Sequence, residues 1–467
     1  MMLVLVFGVA LALVSADRLG AEPSISYPAS KTVDVVDDYH GTAVADPYRW
    51  LEHIDSSDTQ SWIEAQNRVT EKYLDALPLR QALQKRITEL WNYPKVSVPA
   101  REGGRLWYRK NNGLQRQPLV YAKDTPDAAP VLVIDPNALS PDGSRSLAQT
   151  MPSPDGRLLA YSVAESGVDW ETIYVRDLNT GRDLTDVVAW ARYARIAWTH
   201  DGKGFFYSRY PAPGAGPERQ SPSGVHQLYY HRLGTPQAAD RLIYCDDEHP
   251  QWFVRGRVTG DGRYLIVRIS QGSGRRNRLY YLDLQNPTEP NVDGQLKHLV
   301  GSGEAMYRFF GNVGTSFYIL TDSAAPHRRV VAFEINSPDP AVAKTVVPEG
   351  PQVIQDAVLS DGKIVVQCLV EVRSRIKFFA LSGQKLGELA PPGLGTIRDL
   401  SGRFDAAELF YSFTSPLAPA TVFVCKNLCR VPIPFAAAKP VFDARAYETK
   451  QLFATSKDGT RVPYFLT

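Results

Sequence analysis

Cysteine is scarce in this sequence, which has four among 467 residues: Cys245, Cys368, Cys425 and Cys429. Four cysteines are too few to build a disulfide-rich scaffold. Cys425 and Cys429 could pair across a tight turn, or all four could be small buried hydrophobic residues. No Cys-x-x-Cys pair and no histidine cluster has the spacing of a zinc site. The sequence therefore predicts neither a metal site nor a cofactor.

An excess of charge of one sign is also missing. The chain has 52 Lys+Arg against 50 Asp+Glu, a formal net charge of +2. A protein that binds nucleic acid or an anionic membrane through bulk charge carries a larger positive excess. The composition therefore excludes both classes of partner. Because 44% of the residues are hydrophobic, it indicates a folded protein with a large core.

No apolar run is long enough to cross a membrane comfortably. The longest covers residues 3–14, and twelve residues suit the hydrophobic part of a signal peptide better than a membrane helix, which needs about 18 or more. We therefore predict a signal peptide over residues 1–16, cleaved near residue 16 or 21, and an exported, periplasmic or secreted protein. No Lys or Arg precedes the run. A buried strand or a wrongly assigned start, in a cytoplasmic protein, is the alternative.

Catalytic motifs are absent from the 467 residues. No serine lies in a Gly-x-Ser-x-Gly elbow, and the sequence has no phosphate-binding loop and no His-Glu-x-x-His motif. Gly272-Ser273-Gly274 has the wrong spacing for a nucleophile elbow. The sequence therefore predicts no catalytic residue within its own length.

Two helices are predicted within residues 17–95, in a segment that is otherwise typical of extended chain. The first begins at Ser57, where Ser57-Asp58-Thr59-Gln60 is a capping-box pattern, and Pro78 ends it. The second ends before Pro94 and places four apolar residues on one face: Leu79, Leu83, Ile87 and Leu90. The apolar faces of both helices need a partner to cover them.

Strand patterns repeat from about residue 100 onward. Glycine followed by an aromatic or aliphatic strand recurs at intervals of about 50 residues, and a degenerate seventh copy precedes Leu409. The first six copies begin at Gly104, Gly156, Gly202, Gly262, Gly314 and Gly362. A second strand type alternates with the first, also in seven copies. We therefore predict a mainly β protein with a seven-bladed β-propeller over residues 96–430, and a pair of β-sandwiches is the competing architecture.

Residues 431–467 do not continue the repeat. Val431-Pro432-Ile433-Pro434 is typical of a linker, and strand patterns follow over residues 447–454 and 462–466, on either side of an Asp458-Gly459 turn. The sequence stops within the second strand pattern. We interpret this segment as a linker and the opening of a further domain.

The most specific pattern lies near the N-terminus. Asp37-Asp38-Tyr39-His40-Gly41 is followed by Asp46-Pro47-Tyr48-Arg49-Trp50-Leu51-Glu52. Further matches follow in order, including Trp198-Thr199-His200-Asp201-Gly202 and Asn277-Arg278-Leu279-Tyr280-Tyr281. These motifs resemble the N-terminal and propeller portion of the prolyl oligopeptidase family of serine peptidases. The resemblance runs from about residue 25 to the last residue.

The resemblance implies a seven-bladed propeller over an α/β-hydrolase domain, with the active site in the cavity between them. Family members cleave short peptides on the carboxyl side of proline, and the propeller restricts access to small substrates. Residues 17–95 would then pack on the hydrolase domain, and residues 431–467 would be the first strands of a truncated hydrolase domain. The Ser-Asp-His triad would lie beyond Thr467. The implied partners are short proline-containing peptides and the missing C-terminal hydrolase domain, and the chain alone should be inactive.

One propeller loop is implied to line the substrate cavity. Gly272-Ser273-Gly274 corresponds to a family stretch with a cavity-lining cysteine, which Ser273 replaces here. Arg275 and Arg276 would bring positive charge toward that cavity. The alternative for this loop is a plain turn between strands. For the whole chain, the alternatives are a non-catalytic propeller that binds peptides or a partner protein, and a relative of oligopeptidase B.

Overall fold

The structure is a computed structural model that describes residues 25–54, 56–165, 167–212, 224–337, 342–427 and 431–467. The predicted signal peptide lies outside these residues. The chain forms two compact units, one up to Ile87 and one from Thr88 to Thr467. The domain boundaries predicted at residues 95 and 430 stay predictions. No helix within the described ranges is long and apolar enough to cross a membrane.

The first unit contains a hairpin and both predicted helices. Strands β1 (Val36–Tyr39) and β2 (Thr42–Ala45) pair antiparallel, and helix α1 covers Ser57–Asp75. Helix α2 (Arg80–Trp91) begins in the first unit and ends in the second. The residue that caps α1 is Ser56, one position before the predicted start of the capping pattern. Its hydroxyl accepts a hydrogen bond from the backbone N of Thr59 over 3.2 Å.

The N-terminal motif holds this hairpin to the short 3-10 helix Arg49–Glu52. The Arg49 guanidinium donates to Asp46, with Nε 2.6 Å from Oδ2, and also to Asp37. The indole N–H of Trp50 donates to the carbonyl of Lys31 over 2.8 Å. The charged and aromatic residues of the motif therefore stabilise local chain geometry.

Strands make up most of the second unit. The first sheet contains β3 (Lys95–Val96), β4 (Ala100–Glu102), β5 (Arg105–Asn111), β6 (Leu119–Lys123) and β7 (Val131–Ile134). The second contains β8 (Arg145–Pro152), β9 (Leu158–Glu165), β10 (Glu171–Asp177), β11 (Asp183–Ala191), β12 (Ala197–Trp198), β13 (Gly204–Arg209), β14 (Gln227–Arg232) and β15 (Arg241–Tyr244).

The remaining sheets of the propeller are also antiparallel and are built from strands that are consecutive or nearly consecutive in the sequence. The third sheet begins with β16 (Trp252–Val258), β17 (Tyr264–Gln271) and β18 (Asn277–Asp283). The chain then forms a separate two-stranded ribbon of β19 (Gln285–Asn286) and β20 (Glu289–Pro290). It returns to the third sheet as its fourth strand, β21 (Lys297–Val300). The fourth contains β22 (Tyr307–Val313), β23 (Ser316–Thr321), β24 (Arg329–Glu334) and β25 (Lys344–Val347). The fifth contains β26 (Val353–Ser360), β27 (Lys363–Val370), β28 (Arg373–Phe379) and β29 (Lys385–Leu389). The sixth contains β30 (Thr396–Gly402), β31 (Glu408–Ser415), β32 (Ala418–Lys426) and β33 (Ile433–Ala436).

The prediction of a mainly β propeller is confirmed, but the prediction of seven separate blades is wrong. Among the described strands, five sheets have the four or five strands of a blade and the second sheet has eight. Two repeat units join there because β11 pairs with β13 through Ala191 and Arg209. A sequence period places strands along the chain, but it does not determine whether strands of adjacent units come within hydrogen-bonding distance.

The repeated glycines occupy turns between the first and second strands of the repeat units. Gly156 and Gly262 have φ values of 70° and 76°, which favour glycine. A Cβ on Gly262 would lie 2.3 Å from the ring of His200. In the same turn, Thr259 Oγ1 donates to Asp261 Oδ1 over 2.5 Å. The regular glycine spacing therefore reflects one turn conformation used repeatedly.

Hydrophobic cores lie between neighbouring sheets. Tyr264 of the third sheet and Phe317 of the fourth meet edge to face, with ring centroids 5.0 Å apart, and both are almost fully buried. Burial of a large apolar side chain stabilises the fold by about 1.5–3 kcal/mol. Both faces of such strands are covered, so residues 264–267 form a continuous buried run without strand-period alternation.

The last sheet packs against the first and closes the ring. Strand β30 packs beside β4, and Leu106, Phe410 and Val424 form a buried cluster across this junction. Arg101 Nη2 lies 3.0 Å from Glu408 Oε1, which adds an ion pair between the same two sheets. The sheets therefore surround a central channel, and the turns after the first strands form one end of it.

A separate hairpin follows the propeller. Strands β34 (Lys450–Thr455) and β35 (Arg461–Leu466) pair antiparallel. Gln451 Nε2 donates to the Glu371 carbonyl over 2.6 Å, and Arg461 Nη1 lies 3.3 Å from Glu371 Oε1. Glu371 follows β27, whereas the channel-end turn at Asp361 precedes that strand. The hairpin therefore contacts the face of the propeller opposite to those channel-end turns.

The sequence left open whether Cys425 forms a disulfide or is an unpaired buried residue, and in the structure it is disulfide-bonded. Cys245 and Cys368 are free, and Cys368 is buried. Cys429 lies outside the described residues. The alternative that all four cysteines are unpaired is therefore wrong.

Candidate functional site

The candidate site is a cavity of about 740 Å³ at one end of the channel. Every sheet contributes to its lining through the end of a first strand or the turn that follows. Apolar contacts come from Met151, Trp198 and Phe310. No serine or cysteine is among the described residues of the lining.

Ion pairs hold one side of the cavity. Arg403 Nη1 lies 3.1 Å from Glu102 Oε2, and Arg403 Nε lies 2.9 Å from Asp405 Oδ1. The hydrogen bond to Asp405 raises the pKa of Arg403. Burial raises the pKa of Glu102, although the charge of Arg403 opposes that effect. These groups join the last sheet to the first and are already partnered.

Two arginines on the other side have no such partner. Arg195 and Arg257 line the cavity, and neither guanidinium has a hydrogen-bond or ion-pair partner among the residues that the structure describes. The guanidinium carbon of Arg257 lies 5.9 Å from the centre of the Phe309 ring. Both side chains are accessible to water within the cavity. Desolvation by the surrounding protein, with the charge of Arg195 adding, lowers the pKa of Arg257 to about 10.

The pKa of Arg195 is lowered by the same desolvation, and the nearby carboxylate of Glu102 opposes the shift. Glu102 influences both arginines in this way, but its own carboxylate is bound to Arg403. Glu102 therefore opposes the lowered pKa of both arginines while its carboxylate is hydrogen-bonded to a third arginine, Arg403.

His200 is a neutral polar group in this cavity. It stands beside Asp201 in the turn that ends at Gly202, and its ring packs against Gly262 of the next turn. Burial lowers the pKa of His200, and the charge of Arg403 adds to the effect. At pH 7 the imidazole is therefore uncharged and adds hydrogen-bonding capacity without charge.

Further arginines follow the channel inward. Arg255 shares a face of β16 with Arg257, because side chains two residues apart in a strand point the same way. Arg255 Nε donates to the Tyr193 carbonyl over 2.8 Å, and Arg308 is paired with Asp356. These inner arginines are therefore engaged, in contrast to Arg195 and Arg257.

The cavity-lining residues predicted from the sequence lie elsewhere. Ser273 and Arg275 are exposed in the turn between β17 and β18, and neither lines the channel-end cavity. That turn is on the propeller face that the hairpin contacts. Their proposed role toward a substrate stays a prediction. Among the described residues, no group of three or more His, Cys, Asp or Glu side chains could hold a metal ion.

Sequence reasoning missed Arg195 and Arg257. The available signal was the alternation of Arg255 and Arg257 within an otherwise apolar strand. The repeat was recognised from the second and third strands of each unit, so neither the first strand that contains Arg257 nor the segment before β12 that contains Arg195 was identified as a channel lining.

Related proteins share most of this chain. A family model described as "Prolyl oligopeptidase, N-terminal beta-propeller domain" matches residues 27–428. The prolyl endopeptidase of Elizabethkingia miricola is 33% identical over 446 residues, which are 95% of this chain and 62% of that protein. Prolyl oligopeptidase A of Amanita bisporigera is 30% identical and shares 94% of this chain and 62% of its own length. The chain thus spans less than two thirds of these relatives.

Solved structures agree with these relationships. A structure from a study of two prolyl endopeptidases has a TM-score of 0.81 and 30% identity, and covers 94% of this chain and 64% of its own. Prolyl oligopeptidase B from Galerina marginata, bound to a 35mer hydrolysis and macrocyclization substrate, has a TM-score of 0.80, 27% identity and the same two coverages. The closed ring of sheets and the match over residues 27–428 lead to one conclusion. This chain belongs to the prolyl oligopeptidase family and contains its N-terminal β-propeller portion.

Proposed function

We propose that this chain is the N-terminal and propeller part of a serine peptidase that cleaves short peptides after proline, and that the propeller restricts substrate access. The observation that carries the proposal is the ring of sheets, closed by Arg101–Glu408 and by the cluster around Phe410. Because the ring is closed, a peptide can reach the hairpin-side face of the propeller only through the central channel or from that face itself. The relatives' names, prolyl endopeptidase and prolyl oligopeptidase, supply the reaction class.

The catalytic groups would come from outside these 467 residues. Acyl transfer by a serine peptidase needs a serine, a histidine base and an orienting carboxylate in one constellation. The sequence has no Gly-x-Ser-x-Gly elbow to present such a serine. The chain alone is therefore expected to be inactive.

The catalytic part would sit on the face that the β34–β35 hairpin contacts. The hairpin holds to Glu371 on that face, and its Tyr464, Phe465 and Leu466 are exposed. Apolar residues at the end of a two-stranded ribbon are suited to burial by further structure, because an isolated ribbon is only marginally stable. Ser273 and Arg275 lie on the same face, where they would contact a peptide substrate.

The test compares two proteins. The 467-residue chain, given a chromogenic peptide with proline before the leaving group, should show no turnover and no labelling by a serine-directed phosphonate. The same chain, continued after Thr467 with the corresponding remainder of the Elizabethkingia miricola enzyme, should cleave that peptide. Replacing the nucleophilic serine of the added part by alanine is the matched control.

Two outcomes would contradict the proposal. Turnover by the 467-residue chain alone would place catalytic groups within it. A folded fusion that binds the peptide without cleaving it would favour a non-catalytic peptide-binding propeller. Export also stays part of the proposal. N-terminal sequencing of the secreted protein tests it, and the mature chain should begin near residue 17 or 22.

A further inference from the structure

Arg195 and Arg257 stand out in the channel-end cavity because neither guanidinium has a hydrogen-bond or ion-pair partner within the described part of the chain. Every carboxylate of the lining is already hydrogen-bonded: Glu102 and Asp405 to Arg403, and Asp261 to Thr259 and Asn312. Both guanidinium groups are accessible to water in the cavity, so their N–H donors are hydrated and not paired with described residues. The arrangement therefore leaves two guanidinium groups, each with several N–H donors, available to an anion from outside the chain.

We propose that Arg195 and Arg257 bind the carboxylate of a peptide at this end of the channel. A guanidinium is planar and presents paired N–H donors that match the two oxygens of a carboxylate. The adjoining Met151, Trp198 and Phe310 provide apolar contacts for the residues next to that carboxylate. The identification of a peptide as the ligand rests on the proposed function, whereas carboxylate binding does not.

The size of the cavity and the charges behind it agree with such a ligand. Its volume of about 740 Å³ lies within the range of roughly 300–1,000 Å³ typical of small-ligand sites. Arg255 lies close enough to Arg195 for its charge to lower that residue's pKa, and Arg308 has the same effect on Arg257. Arg308 is paired with Asp356, whereas Arg255 donates to a neutral carbonyl, so the charge of Arg255 would add to the attraction of an approaching anion.

Calorimetric titration of the 467-residue chain tests the assignment directly. The probes are acetyl-Ala-Pro-Ala with a free C-terminal carboxylate, the same peptide as its C-terminal amide, sodium acetate and inorganic phosphate, all at constant ionic strength. We expect the acid peptide to bind at least tenfold more tightly than the other three. Equal binding of acid and amide would overturn the proposal, and so would equal binding of phosphate or acetate and the acid peptide.

Variants assign the binding to the two arginines. The double variant R195Q/R257Q should bind the acid peptide at least 30-fold more weakly. Its thermal unfolding midpoint should stay equal or rise, because the repulsion between two neighbouring positive charges is removed. R182Q is the matched control, because Arg182 is exposed and lies outside the cavity. Unchanged affinity in the double variant, or an equal loss in R182Q, would overturn the proposal.

A measurement on the unchanged chain avoids dependence on folding of the variants. Phenylglyoxal modifies accessible arginines, and mass spectrometry identifies the modified positions. The acid peptide should protect Arg195 and Arg257 at least fivefold, and the amide should not. Equal modification with and without the acid peptide would overturn the assignment. None of these measurements uses turnover, so a negative result leaves the proposed peptidase function unaffected.

Discussion

His231 lies between two carboxylates in the interior of the eight-stranded sheet. Its Nδ1 is 2.7 Å from Asp240 Oδ1 and its Nε2 is 3.2 Å from Asp186 Oδ1, and all three side chains are buried. The Tyr207 hydroxyl donates to Asp240 over 2.6 Å. Because Asp186 is on β11 and His231 on β14, this network connects the two repeat units that share the sheet.

Protonation of His231 is favoured by this arrangement. Burial by itself would lower its pKa, but the hydrogen bonds to Asp240 and Asp186 outweigh burial and raise the pKa above its usual value. A histidine whose pKa is raised on folding stabilises the protein fully below the unfolded pKa of about 6.5. That contribution is lost as the pH rises through the folded-state pKa.

We therefore predict a pH-dependent cost for H231Q. At pH 6 the variant should lose about 3–5 kcal/mol of unfolding free energy, because it leaves two buried carboxylates without a cationic partner. The difference between variant and wild type should shrink between pH 6 and pH 9, because His231 of the wild-type chain loses its proton in that range and with it the stabilisation of the two carboxylates. Urea unfolding at several pH values measures both terms.

The control for this prediction is H249Q. His249 Nδ1 also lies 3.0 Å from an aspartate, Asp246, but the His249 side chain is 43% exposed. An exposed pair of this kind contributes about 0–1 kcal/mol. A loss in H231Q that is the same at pH 6 and pH 9 would show that the histidine acts only by packing.

At the scale of elements, the junction of first and last sheets differs from the other junctions. Consecutive sheets are linked by the chain itself, whereas β4 and β31 are about 300 residues apart in the sequence and are joined by the hydrogen bond between the Arg101 and Glu408 side chains. The Arg101 and Glu408 side chains are 21% and 15% exposed, so their pair is largely shielded from solvent. Partly buried ion pairs of this type are more costly to break than surface pairs.

We predict that E408Q loosens this junction. The variant should lower the unfolding free energy by about 1–3 kcal/mol, because Arg101 would keep a weaker, uncharged acceptor. Hydrogen exchange should speed up in β4 and β31 before other strands. E165Q is the control, since Glu165 and Arg145 pair over 2.7 Å with side chains 60% and 48% exposed. Equal losses in E408Q and E165Q would contradict a special role for the junction.

Sequence patterns were most informative for elements whose residues act locally. The proline at position 78 and the cap at Ser56 delimit α1, and the spaced glycines mark turns with positive φ, such as Gly156 and Gly262. These features depend on backbone sterics within a few residues. The joining of β11 to β13 depends on the relative position of two units, and no local pattern encodes it.

At the scale of the whole chain, exposed apolar surface is concentrated outside the propeller core. In α2, Leu83 is 55% and Ile87 is 59% exposed, and in the hairpin Leu466 is 56% exposed. Clustered surface of this kind marks interaction sites in soluble proteins. It agrees with the expectation that the helix faces need a cover.

We predict that the 467-residue chain binds a hydrophobic dye such as anilinonaphthalene sulfonate. The double variant L83Q/I87Q should bind less dye, with a change in unfolding free energy within about ±0.5 kcal/mol, because the replaced side chains pack on little. K85Q, on the exposed surface of the same helix, is the control. A compact wild-type chain that leaves the dye fluorescence unchanged would contradict this prediction.

The sequence by itself determined the propeller class, the two helices and the family, because strand period, turn glycines and ordered motifs are properties of neighbouring residues. Only the tertiary structure decided that two repeat units share one sheet and that Arg195 and Arg257 line one cavity without an ion-pair partner among the described residues. These two arginines are 62 positions apart in the sequence. Their proximity arises because the second and third sheets pack side by side, with β12 against β16, and their shared electrostatics depend on distances that no pattern along the chain records.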